Sequence, residues 1–182
     1  YPGYGCTVRK TCAAGETPNY SICPAGCDSP TQAADPGLGF SNGITKDANN
    51  VIQLGGSLSA STDIGLNGRN LTASGAFTVQ DGGTLELFGS ETFPAPTLNA
   101  GSTVRFTGDG DSAADTFTIT GTIATYEHLV ISSTDGATDI FQLGAALAVN
   151  GTFTLPAGTY DANGQTTTVT GLATINGGTY LA

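Results

Sequence analysis

Few residue types in this chain are able to do chemistry, and their spacing narrows the field further. His128 is the single histidine among 182 residues. Any Ser-His-Asp or Cys-His catalysis would have to run through it, because a weak nucleophile needs an adjacent base. Its neighbours are Tyr126 and Glu127, inside a strand-like run whose alternate residues point outward. The simpler reading is an exposed strand or corner residue. Asp109, Asp111 and Asp115, in GDGDSAAD, form the one acid cluster. Spacings of two and four could offer carboxylate oxygens to Ca²⁺. The distal Glu of an EF-hand loop is missing, so a solvated acidic loop is the competing reading.

The remaining acids of the repeat region are Asp63, Asp81, Glu86, Glu91, Asp135, Asp139 and Asp161, scattered mostly across turns. Glycosidase or lyase chemistry needs an acid, a base and usually basic groups or calcium along a groove. Beyond Lys46, the repeat region offers only Arg69 and Arg105. These acids therefore read as solvated turn residues, and no enzymatic activity is expected. Thr-x-Thr recurs at 116–118, 118–120, 152–154, 166–168 and 168–170. Stacked ranks of that motif would suit an ice-binding face. The copies fall at different phases of the repeat, so ordinary β-propensity explains them. Sequons stand at Asn19, Asn70 and Asn150, and chance accounts for them in a chain rich in Asn, Thr and Ser.

Cys6, Cys12, Cys23 and Cys27 all fall in the first 27 residues, spaced C-x5-C-x10-C-x3-C. A zinc site would need all four thiolates at unusual spacings. Two disulfides are the better expectation, and they imply an oxidising, extracytoplasmic location. Three pairings are possible and spacing does not choose among them. The block 1–36 holds every Cys, five of the eight Pro and no periodic apolar pattern. It reads as a small stapled connector or cap, with residues 37–182 as the main domain.

Composition sets the class. Only 11% of residues are charged, 27 are Gly, and Met and Trp are absent. Helix-forming surface residues are scarce, so a helical protein is not expected. The net charge is −10 with five basic residues. Nucleic acid and anionic membranes need clustered Lys and Arg, so neither is an expected partner. No apolar run approaches the roughly 18–20 residues of a membrane helix. Tyr1 is not an initiator Met, which suggests a processed chain.

The elements that must position these residues are strands. Short alternating runs such as VIQL (51–54), FTV (77–79), TLEL (84–87), TVRF (103–106), TFTI (116–119) and TFTL (152–155) are bounded by Gly, Asn and Asp. That is the strand signature. Asn-Gly at 42–43, 67–68, 150–151, 163–164 and 176–177 taken alone suggests antiparallel hairpins. The internal repeat argues otherwise. VNGTFTLPAGTYDA (149–162) and VTGLATINGGTYLA (169–182) match at an offset of twenty. Looser copies start at Val79 and Leu98, giving steps of 19, 57 and 20. A constant period near 19–20 is the mark of a solenoid. The expected fold is all-β: a parallel β-helix of about seven rungs, about 33 Å tall at the usual strand spacing. An antiparallel sandwich of pilin type is the alternative.

The segments TYEHLVI (125–131), LAVNGTFTL (147–155), GTYDANG (158–164) and TVTG (168–171) resemble repeats of secreted bacterial parallel β-helix proteins. These include autotransporter-like and filamentous adhesin-like surface proteins. The resemblance covers residues 70–182 and implies an extracellular or cell-surface role. The repeat runs in phase to Leu181 and Ala182 with no closing segment. The expected function is a structural subunit of an extracellular filament, a homopolymer assembled head to tail. Tyr1, Tyr4 and Tyr20 would lie on the connector; Thr179, Tyr180 and Leu181 would form the accepting edge. The alternative is a monomeric adhesin or carbohydrate-binding module that contacts surface or matrix polysaccharide.

Overall fold

The computed structural model describes residues 58–182 apart from 61, 62, 137 and 138. It also describes the strand backbones of Thr7–Lys10, Asn19–Ser21, Leu38–Phe40, Ile44–Lys46 and Ile52–Leu54. Every regular element among these is a strand, and no helix long and apolar enough to cross a membrane is present. The chain winds as a parallel β-solenoid, with strands on three successive faces of every turn but the third, whose first face carries none.

The third face is one continuous parallel ladder. Asp63–Gly65, Thr84–Leu87, Thr103–Phe106, His128–Ser132, Phe153–Ala157 and Ala173–Ile175 stack in that order. On the first face Ile52–Leu54 pairs with Leu71–Ala73, then a second ladder runs Thr116–Ile119, Ile140–Leu143, Thr159–Asp161, Thr179–Leu181. On the second face Leu58–Ala60, Phe77–Val79 and Thr97–Leu98 stack, then Thr125–Tyr126, Leu147–Val149 and Thr167–Val169. Six turns are complete, and Thr179–Leu181 opens a seventh. The parallel pairing rules out the sandwich alternative.

The turn length is not constant. Leu58 pairs with Phe77, 19 residues on, and Thr159 with Thr179, 20 on. Between them Thr103 pairs with His128, 25 on, and Thr116 with Ile140, 24 on. The extra residues sit at one corner, in 107–115 and 133–139. The 57-residue step from Leu98 to Leu155 is therefore not three turns. Val79 and Leu98 end strands of the second face, whereas Leu155 and Ile175 lie on the third. The period is correct at both ends of the region, and its match across the middle is coincidental.

Inward positions are apolar because alternate side chains of each strand point to one side. Ile64, Leu85, Val104, Leu129 and Phe153 form one buried column on the third face. Phe117, Phe141, Tyr160 and Tyr180 form an aromatic column on the first. Phe117 and Phe141 stack with centroids 5.5 Å apart, as do Tyr160 and Tyr180. Each such side chain contributes about 1.5–3 kcal/mol when fully buried.

Asn-Gly does mark turns here, but not hairpins. Asn67 and Gly68, and Asn163 and Gly164, take left-handed conformations, with φ of 48° and 74°, and 50° and 70°. They bend the coil between faces. Among the described strands, antiparallel pairing is confined to the N-terminal end. Thr7–Lys10 lies against Asp63–Gly65 and Asn19–Ser21, Leu38–Phe40 against Leu58–Ala60, and Ile44–Lys46 against Ile52–Leu54. All three faces thus receive an antiparallel strand at their first rung. Cys6, Cys12, Cys23 and Cys27, with Tyr1 and Tyr4, lie outside the described residues; of Tyr20 only the strand backbone is described.

Candidate functional site

Two features stand out once the coil is built: the last rung and the corner that carries the insertions. In the last rung, Thr167–Val169, Ala173–Ile175 and Thr179–Leu181 each pair with the rung beneath. Their other edges meet no strand among the described residues. Such an edge is a row of unpaired N–H and C=O groups, a template for another strand. It is apolar as well. Leu172 is 68% exposed, Ile175 52%, Tyr180 41% and Leu181 45%. The residues that Ile175 and Tyr180 stack upon, Leu155 and Tyr160, are both 0% exposed. Thr179, Tyr180 and Leu181 make up one strand, which pairs on one side with Thr159–Asp161.

The insertion corner gathers carboxylates. Asp109, Asp111 and Asp115 bring one oxygen each within 4.8 Å of the others. Asp109 is held above the ordinary 3.8 of a carboxylate, first by desolvation, then by repulsion from Asp111 and Asp115. One storey up, the second insertion places Asp135 and Asp139 over Asp111 and Asp115. Ile140 N–H donates to the Asp115 carbonyl at 2.8 Å, which fixes that register. Ser112 N–H donates to Asp135 Oδ1 at 3.1 Å, and Thr134 N–H to the Thr107 carbonyl at 2.8 Å, so the two loops are tied. Asp139 is fully buried. Its Oδ2 accepts from Ser133 Oγ at 2.7 Å, and its Oδ1 has no partner.

Reading the acids as scattered along the chain misses this gathering. A signal exists: DSAAD at 111–115 and DGATD at 135–139 are offset by 24, the length of the turn there. It goes unseen if the period is taken as 19–20. The other acids are dispersed. Glu86 pairs with Arg105 at 3.3 Å, and Asp161 accepts from Gln142 Nε2 at 3.0 Å. Glu91 is buried and accepts from the N–H groups of Gly68, Phe88 and Gly89, each at 2.8 Å. That carboxylate ties two turns of backbone together.

His128 is placed as a brace between rungs. Its Nδ1 accepts from the Thr152 N–H at 3.0 Å and lies 2.9 Å from Thr152 Oγ1. The Nε2 therefore carries the proton in the neutral ring. Thr116 and Thr118 stack beneath Ile140 and Gln142, so that Thr-x-Thr copy has no second one above it. Among family models, curated proteins and solved structures, no match to the chain is found. The resemblance in 70–182 is thus carried by the β-helix repeat fold.

Proposed function

We propose that the protein is a structural subunit of an extracellular filament that self-assembles head to tail through the two ends of its solenoid. The observation that supports this most directly is how rungs stack within the coil: Leu155 and Tyr160 are fully buried by the rung above them, in the positions that Ile175 and Tyr180 take one rung on. A further layer of strand would bury Leu172, Ile175, Tyr180 and Leu181 and complete the edge hydrogen bonds. The opposite end offers the matching surface. There Asn19–Ser21, Leu38–Phe40 and Ile44–Lys46 are the outermost strands of the three faces. Joining unlike ends is a heterologous contact, which does not close and so propagates. Within residues 1–36, Thr7–Lys10 pairs with the first rung at Asp63–Gly65, and Asn19–Ser21 pairs with Thr7–Lys10. The likeness of 70–182 to secreted bacterial β-helix surface proteins supports an extracellular setting, as do four cysteines in a short block.

The test is negative-stain microscopy and light scattering of the purified chain, beside a variant carrying Ile175→Lys and Tyr180→Lys. Filaments are expected in the parent and monomers in the variant, with unchanged circular dichroism. A parent that stays monodisperse and monomeric at high concentration would overturn the reading. Glycan binding by that monomer would favour a carbohydrate-binding module instead.

A further inference from the structure

We propose that the coil carries a built-in joint between its third and fourth turns, which part on the first and second faces while the two halves hinge about the third-face ladder. Other junctions show what a closed one looks like. The first and second turns pair on all three faces, as do the fourth and fifth and the fifth and sixth. The third and fourth turns pair on one face only, where Thr103–Phe106 meets His128–Ser132. The Thr134 N–H, which donates to the Thr107 carbonyl, extends that contact into the adjoining corner. Thr97–Leu98 pairs downward with Phe77–Val79, and Thr125–Tyr126 pairs upward with Leu147–Val149. Among the described residues no hydrogen bond ties 88–101 to 108–127.

The sequence accounts for the gap. ETFPAP (91–96) fills the place of a first-face strand in the third turn, and Pro94 and Pro96 have no N–H to give a ladder. Above it, the carbonyls of Asp115 and Ile119 accept from Ile140 and Gly144 of the fifth turn. Alternate residues of a strand bond to opposite sides, so Thr116 and Thr118 turn their N–H and C=O groups to the seam. Both residues are exposed, and water satisfies those groups there. A small cavity lies in the seam, lined in part by Phe93, Phe106, Ile119, Ile123 and Tyr126. Side chains meet across it: Gly89 rests against Phe117, where a Cβ would stand 2.7 Å from the Phe117 Cβ. The chain passes from one half to the other through 107–115, beside the hinge, and so does not tether the faces that part. Gly108, Gly110 and Ser112 in that crossing are left-handed. Opening therefore breaks apolar contacts and no ladder, whereas parting any fully paired junction breaks three. The joint belongs to the single chain and stands apart from filament assembly.

The experiment is thiol labelling of Ile119→Cys and Leu143→Cys in the full chain across a urea series, with the label on that residue read by mass spectrometry. Ile119 and Leu143 are stacked partners in one column, 3% and 0% exposed, and only Ile119 lines the seam. The Ile119→Cys thiol should react roughly tenfold or more faster in water, since local opening costs less than global unfolding. Its rate should depend weakly on urea, because a hinge exposes little surface. Leu143→Cys should react only with the steep urea dependence of unfolding followed by circular dichroism. Nitration of Tyr126 by tetranitromethane in the unaltered chain gives the same reading without a core substitution. Tyr126 is 1% exposed, and its nitration should also depend weakly on urea. Equal labelling rates with equal urea slopes at 119 and 143 would overturn the joint. So would Tyr126 nitration that tracks global unfolding.

Discussion

At the scale of single residues, burial and crowding decide which polar groups matter. Glu91 accepts three backbone N–H groups from within the wall. Replacing it by Ala strands three donors, each costing about 1–3 kcal/mol. Glu91→Ala should therefore lose about 3 kcal/mol or more in chemical denaturation, and Glu91→Gln distinctly less. Asp109 behaves in the opposite sense. Its pKa is raised in the fold, so its charged form is disfavoured there relative to the unfolded chain. That penalty is absent below the ordinary 3.8 and fully present above the raised value. In calcium-free buffer at neutral pH, Asp109→Asn should unfold at a higher temperature than the parent. The gain should vanish at more acid pH than 3.8. A persistent gain in acid would contradict the repulsion argument. Tyr160 is pushed up to about 12, chiefly by burial, while Thr167 hydrogen bonding pulls the other way. The unfolded chain releases that proton near 10, so stability is whole below 10 and is lost as pH rises towards 12. Phenolate absorbance should show Tyr160 ionising well above the ordinary value of 10.

At the scale of elements, the solenoid is controlled by how closely backbone stacks on backbone at the corners. A Cβ on Gly171 would overlap the Gly151 carbonyl oxygen, directly below it. A Cβ on Gly151 would stand 2.5 Å from the Glu127 carbonyl oxygen and 2.6 Å from the His128 ring. These glycines provide space; neither has a left-handed φ. Gly171→Ala is expected to cost about 2 kcal/mol by overpacking against a backbone that cannot yield. Gly164, left-handed at φ 70° but facing open space, has a different reason to be Gly. Strand positions were legible in the sequence because Thr, Val and Phe alternate with period two. The assignment of strands to faces was not. Val79 and Leu155 look like members of one repeat, yet they stand on different faces. Two insertions at one corner shift the register, and a strand's local pattern is the same on any face.

At the scale of the whole molecule, the two ends of the stack differ. One carries antiparallel strands on all three faces; the other carries an apolar parallel rung. Each copy bears a net charge of −10, so copies repel at low ionic strength. The proposed contact is made of backbone hydrogen bonds and apolar side chains, which salt does not screen. Assembly followed by light scattering should therefore quicken as NaCl is raised towards physiological strength. Slowing with salt would point to a contact made by ion pairs.

What the sequence determined by itself is the kind of structure. Period-two alternation requires strands, a sparse charge and abundant Gly require tight corners, and recurrence near twenty residues requires stacked turns. The tertiary structure alone decided which residues meet. Asp139 lies beside the loop of Asp109 because two consecutive turns lengthen at one corner. Ile175 is exposed while Leu155 is buried because only one of them has a rung above it. Contact in a solenoid depends on the summed length of every turn between two residues. A local pattern carries no record of that sum.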